Sequence, residues 1–134
     1  MKLVLDADVL IGALDGSDPH HAQARALFTG WQAQDAPRLI SVVNLSEVLV
    51  APAADSRWLR AAREAIAALG VTVHQPGESI GVEAARLRCR HPISLPDAYC
   101  LATAKHAGAS AASFDRKVIR AAAAERIAHT ASKT

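Results

Sequence analysis

A chain of 134 residues and 14.1 kDa is long enough to bury a core and short enough to be expected to form one domain, 1–134. Its formal charge of +2 excludes binding to nucleic acid or membranes through bulk charge alone, and no stretch reaches the ~18 apolar residues of a membrane span. Cys89 and Cys100 lack metal-ligand spacing, and Asp6 and Asp8 interrupt the first apolar run before it resembles a signal sequence, so the expected setting is a reducing cytoplasm.

In chain order, residues 2–6 read as a buried strand, an apolar run ended by a turn signal. A short helix follows through Val9, Leu10, Ala13 and Leu14, stopped by Gly16. Asp18-Pro19 predicts a longer helix to about Gln34, with Asp as N-cap and Pro at the first helical position. Arg38 to Val42 is the second predicted strand, and Asn44 to Val50 a helix closed by Pro52. Ser56 opens a helix with Arg57, Arg60 and Arg63 toward solvent, stopped by Gly70. Val71 to His74 is a third strand and Glu78 to His91 a helix. Ser94 opens a helix through Lys105, ended at Gly108, followed by a strand at Ser110 to Ser113 and a helix at Arg116 to Ala124. Residues 126–129 offer a weak fifth strand, and the tail from about 130 is expected to be disordered. Alternating strands and helices predict a three-layer α/β/α fold around a mainly parallel, roughly five-stranded sheet.

Acids stand where the apolar runs end. Asp6 follows Leu3-Val4-Leu5, Glu47 lies three residues after Asn44, Asp97 three after Ser94, and Asp115 follows Ala111-Ala112-Ser113-Phe114. Each reads as a helix N-cap or first-turn residue, and Asn44-x-x-Glu47 and Ser94-x-x-Asp97 fit the capping-box pattern. Right-handed crossovers bring those helix starts to the carboxyl edge of a parallel sheet, where open α/β sheets bind ligands. A cap contributes ~0.5–2 kcal/mol. Two carboxylates ~4 Å apart repel by ~1–4 kcal/mol, so a group of four favours a cation among them. Hard oxygen donors suit Mg²⁺, with Mn²⁺ as a substitute, and hence phosphate chemistry. Asp8 and Ser113 are auxiliary candidates, and Arg116 and Lys117, directly after Asp115, are candidates for phosphate contact. His20-His21 shows no third metal ligand; His74, His91, His106 and His129 are scattered, and none is nominated as a base. Cys89 and Cys100 read as small buried hydrophobes, and Trp31 and Trp58 as partly buried packing residues.

Leu5-Asp6-Ala7-Asp8-Val9-Leu10-Ile11, Asn44-Leu45-Ser46-Glu47-Val48-Leu49, Leu95-Pro96-Asp97-Ala98-Tyr99-Cys100-Leu101-Ala102-Thr103-Ala104 and Ser113-Phe114-Asp115-Arg116-Lys117 together resemble the PIN domain, and within it VapC-type toxins of bacterial toxin–antitoxin pairs. The resemblance runs from Leu3 to about Ala124 with the motifs in the family's order. It implies a five-stranded parallel sheet and a metal-dependent, Mg²⁺-using endoribonuclease. It also implies a homodimer held inactive by a cognate antitoxin, with RNA as substrate. Asp6, Glu47, Asp97 and Asp115 match the family's acidic quartet, with Asp6 and Asp97 the first metal ligands, while no further acid follows near Val118. Two rival readings use the same residues. Asp6-Ala7-Asp8-Val9 fits the nucleophile motif of haloacid-dehalogenase-type phosphatases, although neither Lys105 nor Lys117 is followed by the acidic pair that such enzymes carry. Alternatively, the acids form a non-catalytic module for a basic partner peptide.

Overall fold

A computed structural model describes residues 1–129; the expected disorder of the tail from about 130 lies outside the described residues. The elements are β1 (Leu3–Leu5), α1 (Ala7–Leu14), α2 (His21–Ala33), β2 (Arg38–Ser41), α3 (Val42–Leu49), a 3-10 turn at Pro52–Ala54, α4 (Ser56–Ala68), β3 (Val71–His74), α5 (Glu78–Arg90), α6 (Leu95–Ala107), β4 (Ser110–Ala112) and α7 (Arg116–Ala124). The strands lie in the order β3-β2-β1-β4, and all three pairings are parallel.

Successive residues of each strand face opposite layers, as the two-residue period of a strand requires. On β1, Leu3 and Leu5 point into a core built with α1, α2, α3 and α4, which includes Phe28, Trp31 and Ile66. Val4 points the other way, into a core of α5, α6 and α7 with Ile80, Leu87, Leu101 and Val118. Ala112 and Ala111 divide in the same manner between the two cores. Helices therefore cover both faces, which explains why β1 is apolar throughout instead of alternating. The expected α/β/α arrangement is present.

The fifth strand is not formed among the described residues. At 126–129 the chain makes one parallel bridge, Ala111 to His129, with the Ala111 N–H donating to the Ala128 carbonyl at 2.8 Å. Arg126, in the left-handed region at φ 59°, turns the chain out of α7.

Several helix starts also differ from the expectation. No side chain caps α2: Asp18 instead accepts the His20 N–H at 2.8 Å, which makes Asp18-Pro19 a turn ahead of the helix. Asp55, not Ser56, caps α4 and accepts from the Arg57 and Trp58 N–H groups. Ser41 caps α3, which leaves the strand without an intervening loop, so Val42 is helical and Asn44 already lies inside the first turn. Asp6 caps α1, and Asp8 is the second residue of that helix. Cys89 is exposed, because the buried side of α5 is formed by Ile80, Ala84 and Leu87, whereas Cys100 is buried as expected.

Candidate active site

Asp6 ends β1 and caps α1. Its Oδ1 accepts the Ala7 N–H at 2.8 Å, and its Oδ2 accepts the Ser113 hydroxyl at 2.7 Å, leaving the residue only 4% exposed. Ser113 follows β4, and the same hydroxyl oxygen accepts the Asp115 N–H at 3.0 Å. Ser113 thus ties the tip of β1 to the start of α7. Asp115 caps that helix by accepting the Lys117 N–H at 2.8 Å. Asp8, in the first turn of α1, accepts the Phe114 N–H at 3.0 Å on Oδ2, while its buried Oδ1 has no hydrogen-bond partner.

The other two acids arrive from the helices on either side. Asp97 is the third residue of α6, with its N–H donating to the Ser94 cap at 3.2 Å. Glu47 is exposed and lies in the second turn of α3, one turn deeper than expected, because the helix begins at Val42. Fully buried Asn44 links the two helices. Its Nδ2 donates to Glu47 Oε1 at 3.2 Å and to the Pro96 carbonyl at 3.0 Å, and its buried Oδ1 has no partner. What looks in sequence like a capping box is a side-chain clamp across 52 residues of chain.

The electrostatics report carboxylates held near one another. Burial, then the charges of Asp8 and Asp97, push the Asp6 carboxyl up to about 8, against the lowering effect of the Ser113 hydroxyl and the Ala7 N–H. Burial raises Asp8 to about 6, with the Asp115 charge adding to it and the Phe114 N–H and His20 opposing it. Asp97 is raised by burial and by Asp115, against its bonds to Ser94. Beneath them the buried Cys100 thiol is pushed up by desolvation and then by the charges of Asp6, Asp8, Asp97 and Glu47. No Lys or Arg is ion-paired with Asp6, Asp8, Glu47, Asp97 or Asp115 among the described residues.

Among the described residues no group of three or more His, Cys, Asp or Glu side chains is placed so that together they could hold a metal ion. Mg²⁺ retains several waters and needs only one or two carboxylates directly, so an open edge fits it better than a closed cage does. The donor set is all hard oxygen, and the unpartnered Asp8 Oδ1 and Asn44 Oδ1 fit an ion or its water shell. Arg116 and Lys117 are exposed on the first turn of α7, and neither is ion-paired among the described residues.

Two residues at this edge were not singled out in the sequence as contributors to it. Asn44 was read only as a cap. His20 stacks on Phe114 with ring centroids 4.5 Å apart and planes 14° apart, which places it beside the acids. Only a tertiary contact reveals either role. His74, His91, His106 and His129 form no hydrogen bond or ion pair with the acids among the described residues, and His91 instead pairs with Glu125 at 2.6 Å.

The fold is shared with solved toxin structures. The chain is similar to the sarcin–ricin-loop-cleaving toxin VapC20 of Mycobacterium tuberculosis, at 20% identity and a TM-score of 0.72, covering 90% of this chain and 95% of the other. A chain of a toxin–antitoxin complex from Klebsiella pneumoniae matches at 22% identity and a TM-score of 0.71, covering 88% and 90%. One from VapBC2 of Rickettsia felis, bound to a promoter DNA fragment, matches at 12% and 0.73, covering 97% and 98%. No curated protein matches. At these identities the likeness establishes architecture. The PIN domain model, however, matches the sequence itself over residues 3–124, and the chain therefore belongs to the PIN domain family.

Proposed function

We propose that this protein is a Mg²⁺-dependent endoribonuclease toxin of a toxin–antitoxin pair, cutting RNA at the edge formed by Asp6, Glu47, Asp97 and Asp115. The observation that carries the reading is the nearly buried Asp6, its carboxyl raised first by that burial and then by the charges of Asp8 and Asp97, with no Lys or Arg paired to the group among the described residues. Such an arrangement is costly for a protein that has no cation to place there. The likeness to VapC20, a sarcin–ricin-loop-cleaving toxin, supports RNA as the substrate class.

Asp6 and Asp97 would hold the first ion, with Glu47 and Asp115 completing the set. When bound, Mg²⁺ or Mn²⁺ lowers the pKa of water and stabilises charge developing on the phosphate during in-line displacement. The chain's own residues prepare this. Ser113 fixes Asp6 against the Asp115 backbone, Asn44 holds Glu47 toward the start of α6, and Asp8 is fixed by the Phe114 N–H. Arg116 and Lys117 hold the phosphate from the α7 side. Hydrolysis adds the water oxygen to phosphorus, breaks the P–O3′ bond and returns a proton to the 3′ oxygen, leaving a 5′-phosphate and a 3′-hydroxyl. No side chain forms a covalent intermediate. The phosphatase role for Asp6 is disfavoured because neither Lys105 nor Lys117 is followed by an acidic pair.

The partner reading is a cognate antitoxin that sets a cationic side chain against the acids, on a homodimeric, cytoplasmic toxin. The matched chains from toxin–antitoxin complexes support it. An apolar cavity of about 450 Å³ beside Glu47, lined by Ile11, Leu14, Val48, Pro52 and Trp58, also supports it. No described helix is long and apolar enough to cross a membrane. Brief induced expression followed by sequencing of cellular RNA ends tests the activity. New 5′-phosphate ends should appear with the wild type and not with Asp97→Asn; equal ends from both would favour the non-catalytic acidic module.

A further inference from the structure

His20 and Phe114 form an aromatic step at the border of the acid edge. Phe114 packs on the core that includes Leu5, Val9 and Ala112, and its outer face carries the His20 ring, 4.5 Å away and nearly parallel. The Phe114 N–H holds Asp8, and Asp115 is the next residue, so the stack adjoins the acids directly. His20 itself is exposed, with 48% of its side chain accessible. The turn that carries it is anchored twice: Asp18 accepts the His20 N–H at 2.8 Å, and the His21 Nδ1 lies 2.8 Å from the Gly12 carbonyl oxygen. An exposed imidazole held flat on a phenyl ring offers its second face to whatever lies over the site. Arg116 and Lys117, which directly follow Asp115, stand exposed on the first turn of α7.

We propose that His20, backed by Phe114, is a stacking platform for one nucleobase of a single-stranded RNA segment lying across the acid edge. This rests on the ribonuclease reading. Stacking on an aromatic face tolerates any base, so the platform fixes the position of the strand and ranks bases by stacking area, purine above pyrimidine. A ring already held by Phe114 and Asp18 loses little freedom when a base lands on it.

The test is a cycle between protein and RNA. The kcat/KM of wild type, His20→Ala and His20→Trp is measured with Mg²⁺ on short single-stranded RNAs of one sequence that carry an abasic nucleotide at each position in turn. One abasic position should lower wild-type kcat/KM by about 5- to 150-fold. His20→Ala should show the same loss on intact RNA and no further loss at that position, because the two changes remove one contact. His20→Trp should restore most of the activity. Losses that multiply at every position, or a His20→Trp variant as weak as His20→Ala, would overturn the platform while leaving the nuclease in place. A wild type that cuts no RNA would overturn both. Unchanged melting temperatures of the two variants show that folding is not the cause.

Discussion

Asp6 is the residue on which the site turns, and its chemistry can be tested without substrate. Its carboxyl, raised to about 8 in the fold, ionises near 3.9 when the chain is unfolded. Between those values the native state binds more protons than the unfolded state, so metal-free stability should fall as pH rises from about 4 to about 8. Asp8, raised to about 6, and Asp97, also raised, act with the same sign. Melting curves of chelator-treated protein from pH 5 to 8 should therefore descend, and those of Asp6→Asn should descend less. A curve flat in wild type would contradict the burial and crowding assigned to these acids. The acids were legible in the sequence because each ends an apolar run. Asn44 and His20 were not, since their partners Glu47 with Pro96 and Phe114 are set by tertiary packing.

Helix caps separate structural acids from site acids. Asp55 caps α4 by accepting from the Arg57 and Trp58 N–H groups, and it has no contact with the acid edge among the hydrogen bonds of the described residues. Asp55→Ala should cost about 1 kcal/mol of stability and leave the response to Mg²⁺ unchanged. Asp115→Asn removes a repelling charge and a ligand together. It should melt at or above the metal-free wild type and respond less to Mg²⁺ or Mn²⁺. If Asp115→Asn merely loses stability as Asp55→Ala does, with a full metal response, Asp115 is a cap and nothing more. The elements themselves were mostly readable from their runs and breaks; their starts were not. Ser41 captured α3 earlier than Asn44 suggested, because a strand can pass straight into a helix when a hydroxyl stands at the junction, and Asp55, after the 3-10 turn, capped α4 in place of Ser56. At the fifth strand's place the described residues make a single parallel bridge, Ala111 to His129.

For the whole molecule, parallel crossovers return helix starts to one edge, which puts Asp6, Asp8, Asp97 and Asp115 within electrostatic reach of one another; the alternation of strands and helices made that edge legible, whereas Glu47 lies a turn inside its helix. The same topology makes the fold and the site thermodynamically linked. At free Mg²⁺ tenfold above its dissociation constant, the folded state should gain about 1.4 kcal/mol. In a chain of this length that raises the melting temperature by roughly 3–7 °C. Indifference to both Mg²⁺ and Mn²⁺ would remove the physical ground for treating the acids as one site.

The central claim is that this edge hydrolyses RNA with a divalent ion. Purified wild type and Asp97→Asn are incubated with single-stranded RNA, with Mg²⁺ and with chelator, and the rate and end groups of the products are measured. Wild type should cleave only with metal and give products bearing 5′-phosphates, and Asp97→Asn should lose at least about a hundredfold in rate. Metal-independent cleavage, or an Asp97→Asn variant as active as wild type, would contradict the claim.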